Sequence, residues 1–414
     1  MASERHPTPT DPSDRILAID ALRGFALLGI LVINIWFFAM PMAGGIYPPA
    51  WGDFSGLNYV AWFMSHVFFY EKFMALFTML FGGGVLLFTE SKERAGQPVV
   101  RLHLRRIGWL FLIGLAHAYL LWYGDILVSY AICGAFVVFA RHWSTRSLLV
   151  AAMVLVAVPS LILVGSGGVL LLTGDDSSIA AFEEPVMVGI GADGDTIDAE
   201  LAAYRGEWTD QQAHRVPTAL ELQTVQFVFG TVWRVTGMML LGMALFKSGI
   251  LSNDRSSRFY HRLIVAGGLL GFTLILAGVA YIEAHEWDLL RTFLFGVNFN
   301  YWGSIPLAIA YLGVIMAWCQ GRPHHIATTS LAAVGRTAFS NYLLQTMLAT
   351  TILYGHGLGL FGTLTRFELL GVVLLIWAIQ IPLSVLWLTR YRYGPVEWLW
   401  RVLTYGERQP MKRA

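Results

Sequence analysis

Long apolar runs separated by short polar breaks set the architecture of this chain. Ten stretches approach the roughly 20 apolar residues that an α-helix needs to cross a hydrocarbon layer. They fall at about 17–39, 71–89, 106–122, 125–141, 147–173, 225–246, 260–282, 297–319, 330–354 and 367–389. The pattern predicts an all-α, polytopic integral membrane protein of about ten transmembrane helices. The stretch LNYVAWFMSHVFFY (57–70) is apolar too, but short and rich in aromatics, which predicts a helix lying in the membrane interface.

The polar breaks divide the chain into parts. Residues 1–15 form a polar tail rich in Pro, Ser and Thr, expected to be disordered and cytoplasmic. The apolar run behind it is long and carries Asp20 and Arg23, so it reads as a retained helix and not as a cleaved signal peptide. Residues 16–174 would make an N-terminal five-helix half carrying the chemistry, 223–392 a C-terminal five-helix half, and 393–414 a cytoplasmic tail. The acidic segment 175–222 joins the halves, with a surface helix expected in DAELAAYRGEWTDQ. No clear repeat relates the two halves, which weighs against a transporter, since many transporters are built from repeats.

Charge supplies the orientation. With the N-terminus in the cytoplasm, the loops on that side hold Lys92, Arg94, Arg101, Arg105 and Arg106, then Arg141 and Arg146, then Lys247, Arg255, Arg258 and Arg262. Arg408, Lys412 and Arg413 in the tail fall on the same side. The opposite loops carry only Arg205, Arg215, Arg291 and Arg366. This asymmetry predicts that both termini of a multi-pass protein are cytoplasmic.

Composition agrees with the pattern. Hydrophobic residues make up 56% of the 414, and charged residues only 13%, against about 25% in a soluble domain. The mean hydropathy is +0.59. A net charge of +1 with dispersed basic residues gives no reason to expect a nucleic-acid partner. Cys133 and Cys319 both lie in apolar segments, so neither a disulfide framework nor a metal site is expected.

Charged groups inside apolar spans are costly and mark candidate functional positions. Asp20 and Arg23 in IDALRG share a helical face, either as a local ion pair or with Arg23 holding a phosphate or carboxylate. Glu71 and Lys72 open the helix YEKFMALFTMLFGGG. A macrodipole contact and snorkelling would explain them structurally, and a catalytic role is the alternative. The GGG at 82–84 allows close helix packing or a narrow ligand path. Arg105 and Arg106 either set topology or bind phosphates. His117 lies eight residues before Asp125, which on a continuing helix separates them by about 12 Å. Asp125 also suits a cap on the following helix. The crowding of Glu71, Lys72, His117 and Asp125 in the outer third of the membrane favours acid–base chemistry. Arg234, Asn298 and Asn300, and Arg336, Asn341 and Gln345 are polar positions in the second half that interhelical hydrogen bonds alone would explain.

Three stretches carry a resemblance: IDALRGFALLGILVINI, LIGLAHAYLLWYGDILVSYAICG, and GRTAFSNYLLQTMLATTILYGHGLGLFG with YRYGPVEWLWRVLTYGERQP. In these the chain resembles the YeiB-like family of bacterial membrane proteins, and through it the transmembrane acyltransferase superfamily. That superfamily includes the acyltransferase-3 proteins and the lysosomal heparan-α-glucosaminide N-acetyltransferase. The resemblance implies ten or so helices and acyl transfer from a cytosolic acyl-CoA across the membrane. Arg23 matches the Arg of the acyltransferase-3 pattern, but Asn34 stands where that pattern has its catalytic His. The heparan N-acetyltransferase branch is similar to this chain in having Asn there, and in an acid at the position of Glu71. The catalytic His of that branch has no counterpart in PMAGGIYPPAWGDFSG, which leaves His117 or His66 as the base.

The expectation is a membrane acyltransferase that moves an acyl group, acetyl in the first instance, from acyl-CoA to a hydroxyl or amine of a carbohydrate or lipid acceptor. His117, Asp125, Glu71 and Lys72 would be catalytic; Arg23, Asn34, Arg105, Arg106 and Asn341 would hold the co-substrate. No metal is expected, and a homodimer is left open. The alternative is a proton-coupled transporter or exporter in which Glu71, His117 and Asp125 relay protons.

Overall fold

The computed structural model describes residues 16–413; the tail 1–15, expected to be disordered, lies outside the described residues. The described residues are almost entirely helical, with one isolated bridge, Tyr391 to Lys412, as their β contact. The first half comprises α1 (Leu17–Ala39), the short α2 (Met42–Ile46), α3 (Gly56–Phe68), α4 (Lys72–Arg94), α5 (Val99–Leu120), α6 (Leu127–Val137) and α7 (Thr145–Thr173). The connecting segment folds as α8 (Asp176–Gly189), α9 (Gly194–Arg205) and α10 (Trp208–Glu221). The second half holds α11 (Val232–Lys247), α12 (Ser257–Ala284), α13 (Leu289–Arg291), α14 (Val297–Gly321), α15 (Ile326–Arg336), α16 (Ala338–Leu353), α17 (Arg366–Arg390) and α18 (Pro395–Tyr405). The end of the bundle at which α1 begins is the near end, and the end at which α1 stops is the far end.

Among the described residues, seven helical stretches are long and apolar enough to cross a membrane: Leu17–Ala39, Gly56–Arg94, Thr145–Thr173, Trp208–Lys247, Ser257–Ala284, Leu289–Gly321 and Arg366–Arg390. The other three expected spans fall short for local reasons. Arg105, Arg106, His103 and His117 dilute the apolar content of α5. Helix α6 tightens into a 3₁₀ turn at Val138–His142, and the run 330–354 breaks at Thr337 between α15 and α16. On α7, α12 and α17 only 28% of the apolar stretch is buried by protein. Apolar surface of that extent needs lipid to cover it, and the protein is a multi-pass membrane protein.

Two reciprocal glycine contacts draw the central helices together. A Cβ on Gly335 would lie 1.8 Å from the Asp20 carbonyl oxygen, and one on Gly24 would lie 2.0 Å from that of Leu331. Helices α1 and α15 therefore cross backbone to backbone, which sets Asp20 and Arg23 beside Arg336. Gly82 and Gly242 do the same for α4 and α11, with Cβ positions 2.0 Å and 1.9 Å from the Met239 and Met79 carbonyl oxygens. Small residues at such crossings are how apolar helices pack without a hydrophobic driving force.

The connecting segment is a cap over the far end. The stretch DAELAAYRGEWTDQ, expected as one surface helix, breaks at Gly206 into α9 and α10, and Glu207 and Asp210 form a capping box at the start of α10. A helix ends with unpaired carbonyls, and α10 satisfies those of α5. Arg215 Nη1 donates to the Leu120 carbonyl at 2.7 Å, and Gln212 Nε2 donates to that of Tyr119 at 2.6 Å. Arg205 Nε binds the Phe361 carbonyl at 2.9 Å, and Arg366 donates to the carbonyls of Gly44, Pro48, Trp51 and Asp53. Three of the far-end arginines, Arg205, Arg215 and Arg366, thus serve backbone oxygens.

Replacing Gly335 by Ala puts a methyl group into a carbonyl that cannot move without displacing α1. We expect a loss of roughly 1–3 kcal/mol or more, read as an earlier thermal transition in detergent. Gly371→Ala on α17, where nothing lies within 4 Å of the new Cβ, should be neutral or slightly stabilising.

Candidate functional site

A cavity of about 300 Å³ opens at the near end between α1, α4, α5, α15, α16 and α18. Its mouth carries Arg23, Arg106, Arg336 and Arg401, with Asp20 and Glu397. Arg23 Nη1 pairs with Asp20 Oδ1 at 3.0 Å. The Arg106 guanidinium lies over the Trp400 ring at 4.4 Å, and the Trp400 indole donates to the Arg106 carbonyl at 2.8 Å. The Glu397 carboxylate accepts from the backbone N–H groups of Phe339 and Ser340, capping α16 from outside its own helix. Four arginines against two carboxylates make the mouth cationic.

The cavity turns apolar as it deepens. Its wall follows α4 from Phe88 to Phe77, about 16 Å at the helical rise. Gly84 lies on that wall with no side chain to narrow it, while Gly82 faces α11. The path ends on Ile126, Leu127, Tyr130 and Tyr342. Tyr342 is the end wall: its hydroxyl accepts from the Ile126 N–H at 3.3 Å, and its ring centroid lies 5.0 Å from that of His117.

Behind Tyr342 sits a chain of three side chains. His117 Nδ1 lies 2.7 Å from Asp125 Oδ2, and its Nε2 lies 2.9 Å from Thr346 Oγ1. The carboxylate assigns the proton to Nδ1, so Nε2 accepts from the Thr346 hydroxyl. All three are buried, His117 and Asp125 with side-chain exposures of 1% and 0%. The expected 12 Å separation of His117 and Asp125 is corrected by the end of α5 at Leu120. The chain reverses through WYGD, and the acid returns alongside the imidazole. Asp125 Oδ1 accepts from the Val128 N–H at 2.8 Å, the cap expected for the next helix.

Glu71 and Lys72 make contacts on other helices. Glu71 caps no N–H; its backbone has φ of 67°, and its carboxylate pairs with Arg234 Nη2 at 3.1 Å. Arg234 also binds Ser304 at 2.7 Å. Lys72 Nζ donates to the His66 carbonyl at 2.6 Å and to Asn300 Oδ1. None of these partners contacts His117. His66 itself stacks on Trp62 and Tyr70. Asn341 belongs to a ladder between α16 and α17, donating to Ser384 Oγ at 2.8 Å and accepting from Gln380 at 2.8 Å. Gln345 continues it to Gln380 at 3.1 Å. Asn341, Asn34 and the exposed Arg105 all lie outside the cavity lining.

Two groups on the cavity and its end were not visible in the sequence as site residues. Helix α18, expected as part of a tail, packs against α5 and α16 and supplies Trp400 and Arg401 to the mouth. Its signal was the amphipathic pattern PVEWLWRVLTY. Thr346 gave no signal, because a threonine in an apolar helix looks like any other.

On the far side of His117, under the α9–α10 cap, buried polar atoms collect. Trp36 Nε1, Trp122 Nε1, Tyr204 Oη, Tyr354 Oη and Glu200 Oε1 make no hydrogen bond within the protein. Trp122 reaches from there to His117, with ring centroids 6.4 Å apart. Glu200 on α9 accepts one bond, from the Met42 N–H at 3.0 Å. Burial, opposed only by that bond, pushes its carboxyl up from 4.5 to about 7.

Fold and site define a multi-pass, all-helical membrane protein with a cation-lined cavity leading from one face to a buried hydroxyl–imidazole–carboxylate chain. The chain belongs to the YeiB family. It is 33% identical to the protein YeiB of Escherichia coli (strain K12) over 404 residues, covering 94% of this chain and 96% of that one. It is 30% identical to YxaH of Bacillus subtilis (strain 168) over 420 residues, covering 98% of each. A family model described as "Protein of unknown function (DUF418)" matches residues 245–407. The matched region holds Arg336, Tyr342, Thr346 and α18, while His117 and Asp125 lie outside it.

The Glu200 shift gives a pH dependence with a definite sign. A carboxyl whose folded value exceeds its unfolded value takes up a proton on folding. Its contribution is full below about 4.5 and is lost as pH rises through about 7. The thermal transition should therefore fall between pH 5 and pH 8, and Glu200→Gln should flatten that part of the profile. An unchanged profile in the variant would locate the dependence elsewhere.

Proposed function

We propose that this protein is a membrane acyltransferase moving an acyl group, acetyl in the first instance, from acyl-CoA to a hydroxyl or amine of an extracytoplasmic or membrane acceptor such as a sugar or glycolipid. The observation that carries this reading is the cavity: cationic at its near-end mouth, apolar along its length, and closed by Tyr342 against His117. Arg23 and Arg106, with Arg336 and Arg401, would bind the phosphates of the co-substrate. The pantetheine arm would lie along the wall from Phe88 to Phe77. A cavity of about 300 Å³ suits that arm and a short acyl group, and the nucleotide stays at the mouth.

The near end is then cytoplasmic, both termini lie on that side, and the three shorter apolar segments complete ten crossings of a bacterial inner membrane. The arginine asymmetry supports this, as does the use of Arg205, Arg215 and Arg366 on carbonyls. His117, oriented by Asp125, is the general base. Tyr342 must swing aside for the acyl group to meet it. The unpaired indole and phenol groups under the cap are what an acceptor from the far side would satisfy. A proton relay through Glu71, His117 and Asp125 has less support, because Glu71 is paired with Arg234 and shares no partner with His117.

Purified protein in lipid nanodiscs should release CoA thiol from labelled acetyl-CoA. His117→Ala should lose 10²–10⁴-fold in kcat, and Arg106→Ala should raise KM for acetyl-CoA about tenfold with kcat nearly kept. Full activity in His117→Ala would remove the imidazole from the mechanism. Substrate flux coupled to pH, with no turnover of acetyl-CoA, would favour the transporter.

A further inference from the structure

Taking the acyltransferase reading as its premise, we propose that Thr346 is the nucleophile, carrying the acyl group as an ester between donor and acceptor. Three observations converge on this hydroxyl. The first is its partner. Threonines inside helices ordinarily return their hydroxyl hydrogen to a carbonyl one turn back. On α16 itself, Thr350 and Thr351 both donate to the Met347 carbonyl, as Thr337 does to that of Ala333. Thr346 instead bonds across to α5, to His117 Nε2 at 2.9 Å.

The second is the fixed orientation of the acceptor nitrogen. Asp125 is held on both oxygens, by His117 Nδ1 and by the Val128 N–H at 2.8 Å, so its carboxylate cannot rotate away. That pins the Nδ1–H tautomer and leaves Nε2 to take a proton from one group, the Thr346 hydroxyl. A hydroxyl, an imidazole and a buried carboxylate in this order form the arrangement that activates an alcohol for attack on an acyl carbon.

The third is position. Tyr342, the end wall of the cavity, sits one turn before Thr346 on the same face of α16. Of the hydroxyls that line the cavity, that of Tyr130 is bonded to Thr78, that of Tyr342 to the Ile126 N–H and that of Thr404 to the Trp400 carbonyl. Thr346 is thus the activated nucleophile next beyond the cavity end. It is also buried, at 1% exposure, between the cavity and the far-side cluster around Trp122. Donor and acceptor would reach the one imidazole nitrogen from opposite faces. An ester on Thr346 separates the two events in time.

The chemistry balances in two steps. Thr346 Oγ1 bonds to the thioester carbonyl carbon while its proton passes to His117 Nε2. The C–S bond then breaks, and the CoA thiolate leaves with that proton. In the second step the acceptor oxygen or nitrogen bonds to the ester carbon and its proton passes to Nε2. The C–Oγ1 bond breaks, and Thr346 recovers the proton.

The test is trapping with radiolabelled acetyl-CoA in nanodiscs without added acceptor, with thiol release followed in parallel. The wild type should show a burst of thiol matching one acetyl group per chain. The label should map to Thr346, be stable in acid, and be released by hydroxylamine. Thr346→Ser should still be labelled. Thr346→Val, which keeps the shape, should lose the label and the burst, and lose on the order of 10³-fold in turnover, while still binding CoA. Turnover in Thr346→Val close to wild type, or label mapping to His117, would overturn the role of Thr346 and leave the acyltransferase reading standing. Absence of thiol release from the wild type without acceptor would overturn the ester on Thr346, and absence of release with sugar and glycolipid acceptors added as well would overturn both.

Discussion

The buried hydrogen bond between His117 and Asp125 is the constraint around which the far half of the bundle is arranged. A carboxylate is expensive to place among apolar helices unless something shares its charge. Here the imidazole and one backbone N–H hold its two oxygens. Forming that contact requires α5 to stop at Leu120 and the chain to reverse within a few residues. Stopping a helix inside a membrane protein exposes carbonyls, and the side chains of Gln212 and Arg215 close them. The polar connecting segment is therefore a structural consequence of the buried pair as well as a lid above it.

The near half is organised by a different principle. Glycine crossings bring α1 against α15 and α4 against α11 so closely that no side chain fits between them. Close packing at these two seams leaves a gap beside them, lined by larger residues and closed below by α18. Arg106 sits in that gap on the Trp400 and Phe88 rings, which hold its guanidinium without neutralising it. Cation at the mouth and apolar wall beyond follow from which helices are tied together and which are not.

Much of this was legible in the sequence, and the failures have physical causes. The apolar runs placed the long helices, and the ionisable residues within them marked both the pair and the arginine mouth. A linear count of residues gives depth along a helix but not rotation about its axis. Glu71 and Lys72 share the depth of His117 yet point to α11 and α14. The same limit applied to Asn341, which faces α17. The reversal after α5 converted an expected 12 Å offset into a 2.7 Å contact. Thr346 was illegible for a simpler reason: its meaning comes wholly from the residue opposite, on a helix more than two hundred positions away.

The central claim is that one continuous path joins the near-end arginines to the His117 chain. A cryo-EM structure with a non-hydrolysable thioether analogue of acetyl-CoA measures this directly. The account predicts nucleotide phosphates against Arg23 and Arg106, the pantetheine arm along Phe88 to Phe77, and Tyr342 displaced so that the acetyl group meets Thr346 and His117. An analogue bound from the far side, or outside the cavity with Tyr342 unmoved, would contradict it.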